Sequence, residues 1–422
     1  MDTIKPLEIP QEGIRETVSL KRIDEGVCAA KGVRAAGVAA GLRKEPGRLD
    51  LSLVAADEPC VVAAVFTQNI FCAAPVQVSR EHAQNGVAQA VVMNSGNANA
   101  STGEPGMAVA RDTCALVASA LGCDTDDVLV GSTGVIGKPL ALDGFERGVP
   151  EAVSELEHSR EASIRAASAV MTTDTVRKES AFEVTLDDGS VVHVGGFCKG
   201  SGMIMPNMAT MLSVIACDAA LDHEAAQSAL KDAIKGSFNK VTVDSDTSTN
   251  DTCILLCTGK VGPAIDRASE NYEAVAAAIA AVTSDLARQI AADGEGATKL
   301  VTVDVLGAAT TEDAETVARS IANSPLVKCA IFGHDANWGR VAAAAGKCGV
   351  EFNQYNVDID LLGVPVLRRG LPVPMDEEDM LRRFEGPEVA IAISLGEGDA
   401  HCRMWTCDFS HDYVTINGDY RT

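Results

Sequence analysis

The sequence predicts an α/β or α+β protein, on three observations. Strand and helix patterns alternate along the whole chain. Short apolar runs rich in β-branched residues are bounded by turn formers, as buried strands are. Longer Ala-rich runs repeat their apolar residues at helical spacing. Taken in order, VVAAVF (61–66), QAVVMNS (89–95) and VLVGSTG (128–134) are predicted strands, and helices are predicted over 106–122 and 144–171. FEVTLDDGSVVHVGGF (182–197) alternates around Asp188-Gly189 and predicts a hairpin. MLSVIACDA (211–219) and CILLCTGK (253–260) follow as strands, with helices over 224–236 and Tyr272–Ala292. The last ends near Asp293-Gly294, a plausible C-cap. From KLVTVDVLG onward a smaller α/β unit is predicted, with one helix (312–323) and several strands, among them EVAIAISLG (388–396). The predicted domains are therefore 1–300 and 301–422.

A chain of 422 residues is long enough for two or three packing units around a sizeable core. Aromatics are only 4%, so Ala, Val, Ile, Leu and Met must fill that core. A net charge of −24 repels phosphate backbones and anionic membranes, which argues against nucleic-acid and lipid-surface partners. The charge-free runs 59–79 and 200–217 carry too many polar residues and prolines to be membrane spans. The N-terminal stretch has no apolar signal core. The 13 Cys are therefore expected to be reduced thiols of a cytoplasmic protein.

Small polar residues crowd into five runs: NSGNANASTG (94–103), GSTGVIG (131–137), MTTDT (171–175), KGSGM (199–203) and VDSDTSTNDT (243–252). Singly, each is turn chemistry. Together they offer the backbone N–H groups and hydroxyls that an acyl-transfer site needs around an oxyanion. GSTGVIGK (131–138) fails as a phosphate loop, because its glycines are one residue too far apart and Pro139 stands where the magnesium hydroxyl belongs. His401, Cys402, Cys407 and His411 approach zinc spacing, but they lie in a strand-rich stretch that scatters side chains to both faces. Buried thiols are the expectation there, with no metal. No GxSxG elbow marks a Ser-His-Asp hydrolase.

KGSGMIMPNMATMLSVIACDA (199–219) reads most simply as a loop entering a buried strand. It also reads as a self-cleaving site at Ala209-Thr210. The Thr210 hydroxyl attacks the preceding carbonyl, and hydrolysis of the ester frees a Thr α-amine. Such an amine has a pKa near ~8 and can serve as general base for its own hydroxyl. Residues and spacing alone leave both readings open.

At this segment the chain resembles the ornithine acetyltransferase family, the arginine-biosynthesis glutamate N-acetyltransferases. VFTQN with AAPV (65–76), MNSGNANASTG, GSTGVIG, MTTDT, KGSGMIMPNMATML, SFNKVTVDSDTSTNDT (237–252), DGEGATK (293–299), FGHDANWGR (332–340) and INGDYRT (416–422) match family signatures in order. The departure is Ser245, where the family pattern carries Gly; if that Gly needs positive φ, Ser245 costs about 1 kcal/mol. The resemblance implies cleavage before Thr210 into an α chain (1–209) and a β chain (210–422), assembled as two of each. It implies an αββα sandwich of the self-processing amidase type and a smaller C-terminal α/β domain. The implied reaction is acetyl transfer from N²-acetyl-L-ornithine to L-glutamate without a cofactor, some members also taking acetyl from acetyl-CoA. Thr210 would be the nucleophile and Thr133 and Gly134 the oxyanion hole. Thr173, Lys199, Thr210, Glu295, Asn417 and Thr422 match substrate-contacting positions. By charge, Lys199 suits a substrate carboxylate and Glu295 the ornithine ammonium. Taken singly, both would be solvated loop charges. Tyr413, Val414 and Ile416 are expected to anchor the tail. Two other readings remain: an N-terminal-Thr amidase or aminopeptidase, and a scaffold whose loops are turn material only.

Overall fold

The computed structural model describes residues 5–9, 18–205 and 211–419. These fall into two compact units. The larger holds 18–239 and 246–287; the smaller holds 5–9, 240–245 and 288–419.

In the larger unit the elements run β1 (Leu20–Arg22), β2 (Val33–Val38), β3 (Leu51–Phe66), α1 (Ala74–His82), β4 (Val87–Asn97), α2 (Gly103–Leu121) and β5 (Val128–Val135). They continue through α3 (Asp143–Ser154), α4 (Arg160–Ala169), β6 (Lys178–Thr185), β7 (Val191–Lys199), β8 (Leu212–Leu221), α5 (His223–Gly236), β9 (Thr252–Ile265) and α6 (Tyr272–Ala292). Nine strands form one sheet in the order β1-β6-β7-β8-β9-β3-β4-β5, with β2 on the free side of β3. The β6–β7 hairpin turns at Asp188-Gly189, as its alternation predicts.

β3 is the pivot. Its first half pairs with β2 and β4, its register breaks between Ala55 and Cys60, and its second half pairs with β9. One core therefore collects Val54, Val91 and Leu129 from one half of the sheet with Val214, Ala216, Ile254 and Leu256 from the other. The outer face of the first half is covered by α1, α2 and α3 through Val78, Val117 and Phe145. α5 packs on the second half, and Gln227 exchanges two hydrogen bonds with the Ala64 backbone. These are the layers of the αββα sandwich.

One helix was expected over 144–171, and two are found. The break falls at 155–159, where the Ser159 hydroxyl accepts the Ala162 N–H and starts α4 afresh. α6 is, among the described residues, the one helix long and apolar enough to cross a membrane. Val275, Ile279, Val282 and Leu286 on it are buried in protein core.

The smaller unit carries β10 (Leu300–Ala308), α7 (Thr311–Ala322), α8 (Pro325–Phe332), α9 (Trp338–Gly346), β11 (Asp358–Leu361), β12 (Val364–Arg368), β13 (Leu371–Pro372), α10 (Glu377–Phe384), β14 (Glu388–Ser394), β15 (Ala400–Cys407) and α11 (His411–Asp419). Its six strands are ordered β13-β12-β11-β14-β10-β15. The single expected helix is thus corrected to five. The four missed are 8 or 9 residues long, too short for their periodicity to stand out. The strand-rich expectation for the C-terminus ends at Cys407, and His411 instead opens α11.

Candidate active site

All five small-polar runs take part in the structure around Thr133 and Lys199. Thr133 and Gly134 sit at the end of β5 beside Ser95–Asn97 of β4, where a bulge puts Asn97 opposite both Thr133 and Val135. Gly134 has φ +133°, and a Cβ there would lie 2.3 Å from the Gly96 carbonyl carbon. Only glycine lets the two strands approach this closely. Asn250 fixes the same turn from the far side. Its Nδ2 donates to Ala98 O at 2.6 Å and to Ser132 O at 2.9 Å. The run 94–103 is braced internally, Asn99 N–H donating to Asn97 Oδ1 and Thr102 Oγ1 to Asn99 Oδ1.

Lys199 closes β7, its ammonium 3.4 Å from Thr133 Oγ1. It is only 9% exposed, so the expectation of a solvated loop charge is corrected. Thr133, Lys199, Ser248, Asn250, Asp251 and Met211 line one small pocket. Asp251 is buried and its Oδ2 has no hydrogen-bond partner. Burial pushes its carboxyl well above the usual carboxylate range, against the opposing pull of Ser248, Lys199, the Met211 N–H and Thr67.

Thr173 lies in the turn before β6, half-buried, between two residues whose hydrogen bonds shape that turn. Asp174 accepts the Thr172 N–H at 3.0 Å, the Gly200 N–H at 2.8 Å and the Lys178 ammonium at 2.7 Å. Burial alone would raise the Asp174 carboxyl, but the Lys178 and Lys199 ammoniums and these donors hold it well below the usual range. Arg43 ties the start of the same run to β4, donating to Met171 O at 2.6 Å and to Ser95 Oγ at 3.4 Å.

Glu295 and Asn417 belong to the smaller unit and meet there, Asn417 Nδ2 donating to Glu295 Oε2 at 2.8 Å. Glu295 is 7% exposed, again buried rather than solvated. Its loop is fitted to the start of α11. A Cβ on Gly296 would fall 2.5 Å from Tyr413 N, and the Ser410 hydroxyl donates to Gly296 O. The Asp408 carboxylate holds the loop's exit through the Thr298 and Lys299 N–H groups. Of the expected tail anchors, Tyr413 stacks on Phe409 and Ile416 is half-buried, but Val414 is 72% exposed and anchors nothing.

Ala209, Thr210 and Thr422 lie outside the described residues. Asp174, Lys178, Asn250, Asp251 and Arg43 are contributors that sequence reasoning did not single out. All thirteen Cys are free, and Cys402 and Cys407 are buried, as thiols at those positions were expected to be. Among the described residues, no group of three His, Cys, Asp or Glu is placed to hold a metal ion.

Comparison with known proteins supplies the frame for this geometry. The ArgJ family model matches residues 34–422. Arginine biosynthesis bifunctional protein ArgJ of Symbiobacterium thermophilum is 47% identical over 399 residues, spanning 94% of this chain and 98% of its own. Its namesake from Thermosynechococcus vestitus is 45% identical over 420 residues, spanning 95% and 99%. A solved structure of that bifunctional protein from Bacillus halodurans aligns at a TM-score of 0.47 and 39% identity, over 48% of this chain and 96% of the other. With a family match running from β2 to the last residue and such identity across nearly the full length of both relatives, the chain belongs to the ArgJ family.

Proposed function

We infer that the protein is a glutamate N-acetyltransferase of arginine biosynthesis that moves acetyl from N²-acetyl-L-ornithine to L-glutamate through an acetyl-Thr210 ester. The observation that carries the reading is the gathering of Thr133 and Lys199 at one pocket with Met211, the residue that follows Thr210 in sequence, Gly134 being the next residue after Thr133 on β5. Maturation is cleavage of the Ala209–Thr210 bond. The freed α-amine then takes the proton of the Thr210 hydroxyl as its oxygen attacks the acetyl carbon. The Thr133 hydroxyl and the Gly134 N–H hold the tetrahedral oxyanion. The acetyl C–N bond breaks, ornithine leaves with the proton, and the glutamate amine attacks the ester to restore Thr210. Lys199 pairs with a substrate carboxylate, and Glu295 with the ornithine ammonium, where Asn417 braces it. Thr173 and Thr422 complete the substrate contacts.

Acetyl-CoA serves as a second acetyl donor in this reading, supported by the word bifunctional in the relatives' names. No cofactor or metal takes part. The working form is two α and two β chains in the cytoplasm. Incubation with N-acetylornithine alone should release ornithine and add one acetyl group to the fragment that begins with Thr210, measured by intact mass. Added glutamate should discharge that acetyl as N-acetylglutamate. Release of free acetate at the same rate with and without glutamate would make the protein an amidase instead. Glutamate with acetyl-CoA and no acetylornithine tests the second donor.

A further inference from the structure

Asp174 and Lys178 form an ion pair whose side chains are both wholly buried, 2.7 Å apart. Desolvation makes such a pair a poor source of stability compared with apolar packing. Its geometry points to another use. Each oxygen of Asp174 receives a backbone N–H from a different segment: Oδ2 that of Thr172, Oδ1 that of Gly200. Thr173 is bracketed by Thr172 and Asp174, and Gly200 directly follows Lys199. One carboxylate therefore sets both the turn that presents Thr173 and the strand end that presents Lys199. Lys178 opens β6, in register with Cys198, the neighbour of Lys199 on β7. Its ammonium keeps the carboxylate ionised where water cannot.

We propose that the Asp174–Lys178 pair is the positioning element of the substrate site, holding Thr173 and Lys199 in the arrangement that receives the substrate carboxylate. The proposal rests on the functional reading of Thr173 and Lys199 above.

The test uses the full chain with three variants. Asp174→Asn keeps the shape but turns an N–H donor toward one of the two backbone N–H groups, and it removes the carboxylate charge beside Lys178. Lys178→Arg keeps the charge. The double variant Asp174→Asn with Lys178→Met removes both charges of the pair. Asp174→Asn should raise KM for N-acetylornithine about 10- to 100-fold, with a smaller change in kcat. It should also lower the melting temperature. The double variant should recover melting temperature yet keep the raised KM, and Lys178→Arg should stay within a few-fold of the wild-type KM. A double variant with wild-type KM, in kinetics and in calorimetric binding of N-acetylornithine, would reduce the pair to a structural device and overturn the proposal. Wild-type protein that transfers no acetyl from N-acetylornithine would instead sink the functional reading, which separates the two failures.

Discussion

Ser245 occupies φ +69°, the left-handed region where an L side chain carries strain that glycine does not. Ser245→Gly should therefore stabilise the protein by about 1 kcal/mol. Thermal unfolding should show a rise of roughly 2 °C or more; an unchanged midpoint would mean that the Ser245 hydroxyl repays the strain locally. Asp251 makes a second residue-level prediction, about pH. Its carboxyl is raised in the folded state above an unfolded value near ~3.9. The stability it contributes is thus fully present below the unfolded value and is lost as pH rises toward and through the folded one. Asp251→Asn removes the proton and that loss with it. The melting temperature of the variant, relative to wild type, should climb as pH rises above that unfolded value. A gap that stays constant with pH would show Asp251 to be ionised in the native protein. Thr133→Ala should slow acetyl transfer by roughly 10²- to 10³-fold if the hydroxyl is an oxyanion donor. An unchanged single-turnover rate would return Thr133 to turn structure.

At the scale of elements, the β4–β5 bulge sets the backbone of Thr133 and Gly134, the pair proposed above to hold the oxyanion. Gly134 has no room for a methyl group, since the nearest atoms are the backbone of Gly96 and Asn97 rather than a flexible side chain. Gly134→Ala should push the strands apart, leave a folded protein by circular dichroism and lower kcat by at least about 10²-fold. Retained kcat would mean that the loop tolerates the shift and that its N–H is not aimed at the reacting oxygen. The strands that carry this site were legible in sequence. VLVGSTG and CILLCTGK each fall within a strand of the structure, and FEVTLDDGSVVHVGGF spans the β6–β7 hairpin. Strands of this kind are apolar on both faces, or alternate cleanly, and short-range pattern suffices to find them. The four short helices of the smaller unit were not legible, because 8 or 9 residues give little more than two turns of periodicity, whereas the 12-residue α7 was. Thr133, Gly134 and Lys199 were identified only through resemblance; pattern alone left them in turn material. Asp174 and Asn250 lay within the small-polar runs but nothing marked them individually, and Lys178 gave no signal. A buried polar residue is spelled like a solvated one, and only the partners that long-range folding brings to it, such as Ser132 for Asn250, reveal the difference.

The topology of the larger unit as a whole decides what self-cleavage would do to it. A cut before Thr210 divides the nine-stranded sheet between two polypeptides. Strands β1 to β7 precede the cut, and β8 and β9 follow it. In the sheet these two do not lie at an edge. β8 pairs with β7 on one side, β9 pairs with β3 on the other, and they are joined to each other in parallel along ten and fourteen residues. The second polypeptide is thus inserted in the middle of the first one's sheet. Val214 and Ala216 from one side of the cut and Val54 and Phe197 from the other share a single core. Pulling the two polypeptides apart would expose that core and two ladders of backbone hydrogen bonds, which amounts to unfolding the unit. Cleavage should therefore change the covalent chain without releasing a fragment. The mature protein should elute as one species on native size exclusion and separate into two bands of roughly half mass only under denaturing conditions, one of them beginning with Thr210 by N-terminal sequencing. Thr210→Ala should elute at the same native position as a single uncut chain. Native separation of the cut fragments, or a cut at any other bond, would contradict the assignment of β8 and β9 to the polypeptide that begins at Thr210.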